Sequence, residues 1–193
     1  MHMTSDQQPL ILASASPRRH RILTELGIPF EVVIPDAEEH LFAEDPERTA
    51  RDNALLKNEW CQARRPDRRI LSADTILDFD GKCLTKPESM EQAFAFLRML
   101  SNRWHTVLTG VAYTCPGIDA AVSVTASRVH FRQLSENDIQ NYFDIVDPMD
   151  KAGAYDIIDH GHAVIERIEG SRSNIAGLPV ETVLNLLKPQ SQE

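Results

Sequence analysis

A chain of 193 residues, 42% hydrophobic and 25% charged, has the make-up of a globular protein and can bury a sizeable core. Its apolar runs are too short to span a bilayer, no signal-peptide pattern opens it, and a net charge of −9 argues against coating nucleic acid. Cys61, Cys83 and Cys115 show no paired spacing, which fits a reducing cytoplasm better than a disulfide framework or a zinc site.

Residues 1–9 read as a disordered lead-in and 189–193 as a tail, with one domain between them. Leu10-Ile-Leu-Ala13 reads as a buried strand running into Ser14-Ala-Ser16. Pro17 is suited to the first helical position, where its missing N–H leaves nothing unpaired. A helix N-terminus offers free N–H groups and a partial positive charge, and Arg18 and Arg19 add forked donors that match phosphate. The strand–turn–helix therefore reads either as a phosphate cradle or as an ordinary capped helix with solvated arginines.

Ile22, Leu23 and Leu26 give that helix an apolar face, and Gly27 suits its C-terminal turn. A strand over 30–34 then delivers the acidic loop Asp36-Ala-Glu38-Glu39. A helix over 46–64 carries Lys57, with Ala50, Ala54 and Cys61 on one face. A strand over 69–77 holds Asp74 in an apolar run, a position costly for a carboxylate unless it is paired or bound to metal. Asp80-Gly81 marks a hairpin towards Lys86-Pro87, and Ser89-Met-Glu-Gln92 reads as a capping box for a helix with Met90, Ala93, Phe94, Leu97 and Leu100 inward.

Two β-rich segments, 104–114 and 120–131, meet at Pro116-Gly117. Ser135-Glu-Asn-Asp138 caps a helix with Ile139, Tyr142, Phe143 and Val146 inward. A small-residue loop, Asp150 to Tyr155, a strand near 163–168, a loop over 170–179 and a helix to about Leu187 follow. Strands alternate with helices, so the class is α/β with a mixed sheet.

Glu38, Glu39 and Asp74 sit near strand ends, and Arg18, Arg19, Lys57, Lys86 and Lys151 are set in loops or helices. Carboxylates that hold Mg²⁺, with cations for the remaining phosphate charge, make a phosphoryl-transfer set. No Gly-x-x-x-x-Gly-Lys-Ser/Thr or Gly-x-Gly-x-x-Gly loop is present, and no Ser or Cys lies in a nucleophile elbow. His160 and His162 lack a third ligand and read as loop residues; Trp60 and Trp104 read as core.

Six segments stand in order: Ser14-Ala-Ser-Pro-Arg-Arg19, Ser72-Ala-Asp-Thr75, Leu84-Thr-Lys-Pro87, His105-Thr-Val-Leu-Thr-Gly110, Asp150-Lys-Ala-Gly-Ala-Tyr155 and Gly177-Leu-Pro179. Over residues 10–188 the chain resembles the Maf family of nucleoside triphosphate pyrophosphatases. The resemblance implies a two-lobed α/β fold with a central cleft, related to the inosine triphosphate pyrophosphatases. It also implies a homodimer and hydrolysis of a nucleoside triphosphate to monophosphate and pyrophosphate with a divalent metal, Mg²⁺ or Mn²⁺. Asp74 matches the family's general base or metal ligand, and Glu39 its second acidic ligand. Ser14, Arg18, Arg19, Lys57 and Lys86 match its phosphate-binding positions, and Arg18, Thr75 and Ile158 fall where substrate choice is implied.

The Pro-Arg-Arg and Asp-Lys-Ala-Gly-Ala-Tyr forms resemble the branch acting on dTTP and UTP. Ser72 replaces a usual glycine. Ala154-Tyr-Asp-Ile-Ile158 stands where that branch has Ala-Tyr-Gly-Ile-Gln, so an amide at the implied base-reading position is lost. The expectation is weaker pyrimidine preference, sharpened by Ile158→Gln. The rival readings are a nucleotide-binding regulator of cell division and a pyrophosphatase for modified nucleotides such as 7-methyl-GTP.

Overall fold

The structure is a computed structural model that describes residues 8–188. The tail and all but two residues of the expected lead-in lie outside the described residues. The elements run β1 (Leu10–Ala13), α1 (Pro17–Glu25), β2 (Phe30–Val33), α2 (Pro46–Gln62), β3 (Ile70–Phe79), β4 (Lys82–Leu84) and α3 (Met90–Leu100). They continue as β5 (Trp104–Cys115), β6 (Ile118–Phe131), α4 (Glu136–Phe143), β7 (Ile165–Glu169), α5 (Arg172–Ile175) and α6 (Val180–Leu186). Short 3₁₀ turns cover Ala152–Ala154 and Gly161–Ala163.

All seven strands join one sheet, in the order β2-β1-β3-β5-β6-β7 with β4 beside β3. The first three pair in parallel and the rest antiparallel, so the sheet is mixed as the sequence predicts. Strand β3 serves both halves. Its start pairs with β1 as far as Ala13 opposite Ser72, and its end pairs with β4 from Leu77 to Phe79. Between these, the edge of β3 over Ala73–Ile76 is left open as the chain leaves β1 at Ser14. That gap, at the C-terminal end of parallel strands, is the kind of place where open α/β sheets bind ligands.

Side chains of β3 alternate between the two faces. Ile11, Ala13 and Ile70 pack on Cys61 of α2. Leu12, Leu71, Ala73 and Val111 point the other way, onto Leu23 of α1 and Val183 of α6. Beyond the gap, Leu77, Phe79, Val107 and Phe131 pack with Leu97 of α3 and Ile139 of α4. Burying each such large side chain stabilises by about 1.5–3 kcal/mol relative to exposure. Helix α2 comes unusually close at Gly110: a Cβ there would sit 2.2 Å from the Ala50 carbonyl oxygen. Gly110 is the register partner of Asp74. The missing side chain thus lets α2 approach the carboxylate.

Several local readings need correction. Met90 faces outward at 41% exposure. Trp60 and Trp104 are only partly buried, because Arg64 stacks over the first and Arg128 over the second. At Ser89 half of the capping box forms: its side chain accepts from Gln92 N, but the Gln92 amide oxygen turns to Glu88 N. At Ser135 both halves form. The loop over 170–179 contains the single-turn helix α5, capped by Ser171. The described helices include none long and apolar enough to cross a membrane.

Candidate active site

A cleft of about 780 Å³ opens at the gap in β3. It gathers Ser14, Arg18, Arg19, Glu39, Lys57, Asp74, Thr75, Lys86 and Lys151 from six separate stretches of chain. Five cations and four carboxylates line it, Asp150 and Asp156 completing the latter, so its balance is positive in a chain of net charge −9. This is the local basic pocket that an anionic substrate requires.

Asp74 projects from β3 towards α2 and is 6% exposed. Lys57 Nζ lies 2.7 Å from its Oδ1 and 2.7 Å from Glu39 Oε1, so one ammonium bridges two carboxylates. Asn53, one helical turn before Lys57, donates to Asp74 Oδ2 at 3.4 Å and to the His40 carbonyl at 2.9 Å, and accepts from His40 N at 2.8 Å. Asn53 thereby pins the loop that carries Glu39. An asparagine inside a helix reads as a surface residue; the signal that could have found it is the i, i+4 spacing to Lys57.

Arg19 is 9% exposed and forms a clasp. Its Nε donates to Gly177 O at 2.8 Å, one terminal nitrogen to Ser14 Oγ at 3.0 Å and the other to Thr75 Oγ1 at 3.0 Å. Burial pulls its pKa down from the ordinary arginine value, and the nearby Asp74 charge opposes this. Gly177 sits at φ +101, where an L side chain is strained, and a Cβ would press on Thr75 Oγ1 at 3.3 Å. Thr109 gives its proton to Asn174 O at 3.0 Å, so Thr75 donates to Thr109. The Thr75 hydroxyl is fully engaged and positions Arg19.

Ser14 Oγ accepts from Ser16 N at 3.2 Å and from Arg19, which leaves its own proton to donate into the cleft. Pro17 occupies the first turn of α1, whose first helical bond is His20 N to Ser16 O. The N–H groups of Arg18 and Arg19 are therefore free of intrahelical partners. Arg18 and Lys86 reach the cleft with no carboxylate partner among the described residues. Burial works to raise the Asp150 carboxyl, but Lys151, with Arg18 adding to it, holds it below its ordinary value, whereas burial pushes the Tyr155 phenol well up. Lys151 is held by Asp150 and donates to Asp147 O at 2.9 Å.

Four residues weighed in the sequence lie outside the cleft. Glu38 is exposed and does not line the cleft. His160 and His162 join no group of three metal-binding side chains among the described residues. Ile158 is a correction of place. It lines a separate hollow of about 260 Å³ behind the cleft, with Arg21, Ile22 and Ser173. The reason is apolar: Ile158 packs with the α1 and α6 cluster, so the wall presents Ile157 and Asp156 to the cleft instead.

The far wall is built on His105, which is 3% exposed and bonds Tyr155 Oη at 2.9 Å through Nε2. Phe131 packs edge-on against both rings, centroids 4.9–5.1 Å away. Burial, aided by His130, pushes the His105 pKa down to about 3. Unfolding restores a value near 6.5, so the unfolded chain binds the extra proton between these pH values. Stability is therefore full above pH 6.5 and falls as pH drops towards 3. Denaturant midpoints should show the pH 6.5 to 5.5 loss shrinking by about 1 kcal/mol in His105→Gln.

Comparison with known proteins gives the chain a family. The model of the family described as Maf-like protein matches residues 9–190. A dTTP/UTP pyrophosphatase of Thermotoga maritima is 43% identical over 180 residues, covering 92% of this chain and 87% of its own. One from Akkermansia muciniphila is 41% identical over 181 residues, covering 93% and 95%. A HAM1 protein from Coxiella burnetii shares the fold, with a TM-score of 0.56 at 14% identity over 93% of this chain and 99% of that one. The six motifs read from the sequence fall within the matched span, each of them contributes to the lining of the cleft, and the chain belongs to the Maf-like family.

Proposed function

We propose that the protein hydrolyses a nucleoside triphosphate of the dTTP/UTP kind at the α–β phosphoanhydride, giving the monophosphate and pyrophosphate. One observation carries the reading: Lys57 bridges Asp74 and Glu39 beside a cleft whose cations Arg18 and Lys86 are left for an anion. The names of the relatives from Thermotoga and Akkermansia support it.

Asp74 Oδ1 is fixed by Lys57, whereas Oδ2 has only the long contact to Asn53, so Oδ2 is left to take a proton from the attacking water. Arg18, Lys86, the Ser14 hydroxyl and the free N–H groups of α1 face the phosphates and offset charge as it develops on the leaving group. The clasp leaves Arg19 two of its five N–H donors for the same task. This is positioning and electrostatic work, with no covalent intermediate.

Two carboxylates, with no third His, Cys, Asp or Glu grouped near them among the described residues, fit Mg²⁺, which takes one or two carboxylates and completes its shell with phosphate oxygens and water. Glu39 and Asp74 would hold it, and once bound it neutralises phosphate oxygens. A homodimer in a reducing cytoplasm belongs to the same proposal, supported by exposed Val32 on the edge strand β2, exposed Ile34 and Leu41 after it, and three free cysteines. Light scattering should then give twice the chain's 21.7 kDa.

Incubation with dTTP or UTP and MgCl₂ should release pyrophosphate, and EDTA should stop it. No release from any common or modified triphosphate would contradict the proposal. Arg18→Lys should lower kcat/KM by about tenfold, because an ammonium cannot reproduce the fork, while leaving the melting temperature unchanged. Wild-type kcat/KM in that variant would make Arg18 a solvated surface residue.

A further inference from the structure

Glu39 stands on a stretch, 34–42, that forms neither helix nor strand and contains no buried residue. Nothing in that stretch packs into the core to fix it. Its carboxylate nevertheless lies 2.7 Å from Lys57 Nζ, the same ammonium that meets Asp74. Three side chains of α2 account for this. Thr49, Asn53 and Lys57 follow one another at one-turn spacing along one stripe of the helix, and each ties a different residue of the loop. We propose that Thr49 and Asn53 are positioning residues: with Lys57 they form a ladder that holds the Glu39 loop against Asp74 and so sets the carboxylate pair for a divalent cation. The proposal rests on the reading of Glu39 and Asp74 as the residues that would hold that cation.

The lowest rung is Thr49, 1% exposed, whose Oγ1 accepts from Phe42 N at 3.0 Å. Its own proton is offered to the Phe42 and Asp45 carbonyls, 3.2 and 3.0 Å away. Asn53 is the middle rung, 2% exposed, and every polar atom of its amide is engaged. Oδ1 accepts from His40 N at 2.8 Å, while Nδ2 donates to His40 O at 2.9 Å and to Asp74 Oδ2 at 3.4 Å. One side chain therefore grips both the residue next to Glu39 and the other carboxylate of the pair. Lys57 is the top rung.

The buried rungs outweigh the ion pair. The Glu39 side chain is 54% exposed, and an ion pair with so wet a partner is screened and weak. The amides of His40 and Phe42 instead bond to buried acceptors, and losing either acceptor leaves a donor unpaired against the protein interior. An apolar residue is the ordinary choice where a helix packs on a sheet, and a buried hydroxyl or amide is costly there unless it is bonded. At Thr49 and Asn53 the bonds go to the loop, so these two polar residues serve the position of Glu39. Residues that orient the ligands of a metal matter to its affinity nearly as much as the ligands do.

The test is titration of Mn²⁺ alone onto the full chain, read by electron paramagnetic resonance, for the wild type, Asn53→Ala, Thr49→Val and Thr49→Ser. Asn53→Ala and Thr49→Val should weaken Mn²⁺ binding by about tenfold or more, whereas Thr49→Ser, which keeps the hydroxyl, should retain the wild-type affinity. With dTTP, kcat should fall in the first two variants and KM should change little, because Arg18 and Lys86 still meet the phosphates. Hydrogen exchange on the unsubstituted protein checks the ladder independently. The His40 and Phe42 amides should exchange far more slowly than those of Glu38 and Leu41, which have no acceptor among the described residues. Equal exchange at all four positions would overturn the proposal. So would wild-type Mn²⁺ affinity in Asn53→Ala and Thr49→Val, even with a lowered melting temperature, or an equal loss in Thr49→Ser. A wild type that binds no Mn²⁺ would overturn it together with the cation reading. Mn²⁺ binding with the expected dependence but no hydrolysis of any triphosphate would keep the ladder and remove the hydrolytic reading.

Discussion

Asp74→Asn is expected to lower kcat by a factor on the order of 10² or more, while nucleotide binding stays measurable. The substitution preserves shape and keeps an oxygen facing Lys57 Nζ, which lies 2.7 Å from Oδ1. What it removes is the negative charge and the basicity of Oδ2, the oxygen with only a long contact from Asn53. Lys57 retains Glu39 at 2.7 Å, so the ammonium is not stranded. Steady-state turnover and calorimetric titration on the same preparation separate the two effects. Unchanged turnover in the variant would remove Asp74 from the mechanism. A wild type that binds nucleotide without turning it over would favour the regulatory reading.

Arg19→Lys should destabilise the fold by about 2–4 kcal/mol, because bonds to a charged donor are worth about 1.5–3 kcal/mol and three are at stake. The guanidinium joins Ser14 after β1, Thr75 of β3 and Gly177 after α5, acceptors that no single ammonium can reach together. For a chain of this length each kcal/mol moves the melting temperature by roughly 2–4 °C, so calorimetry should show a fall on the order of 5–15 °C. The contrast with Arg18→Lys, expected to leave melting unchanged, makes the test sharp. Adjacent arginines that look alike in the sequence then divide into one that holds the site together and one that faces substrate. A wild-type melting temperature in Arg19→Lys would mean that the clasp contributes nothing.

The features legible in the sequence are those set by neighbours along the chain. Leu10–Ala13, Pro17 at the start of α1, the Asp80-Gly81 turn and the Ser135 cap each depend on residues within a few positions, and each appears where predicted. Asp74 stood out for a similar reason, a lone carboxylate in an apolar run. The duties of Arg19 and Asn53 were hidden because their partners, Gly177 and His40, are distant in sequence or belong to the backbone. Helix α5 was hidden by its length, a single turn with no room for a periodic pattern. Ile158 takes the far side of the wall, and a motif position says nothing about which side a side chain takes. A glutamine gains by facing a polar cleft, but an isoleucine gains by joining the apolar cluster against α1, and burial decides.

The central claim is that water attacks the α-phosphorus within this cleft, and hydrolysis in ¹⁸O-labelled water tests it most directly. With MgCl₂ and the preferred triphosphate, phosphorus NMR should show only nucleoside monophosphate and pyrophosphate, with the isotope shift on the monophosphate. Label on orthophosphate beside a nucleoside diphosphate, or on the pyrophosphate, would place the attack on another phosphorus and contradict the roles given to Asp74, Arg18 and Lys86.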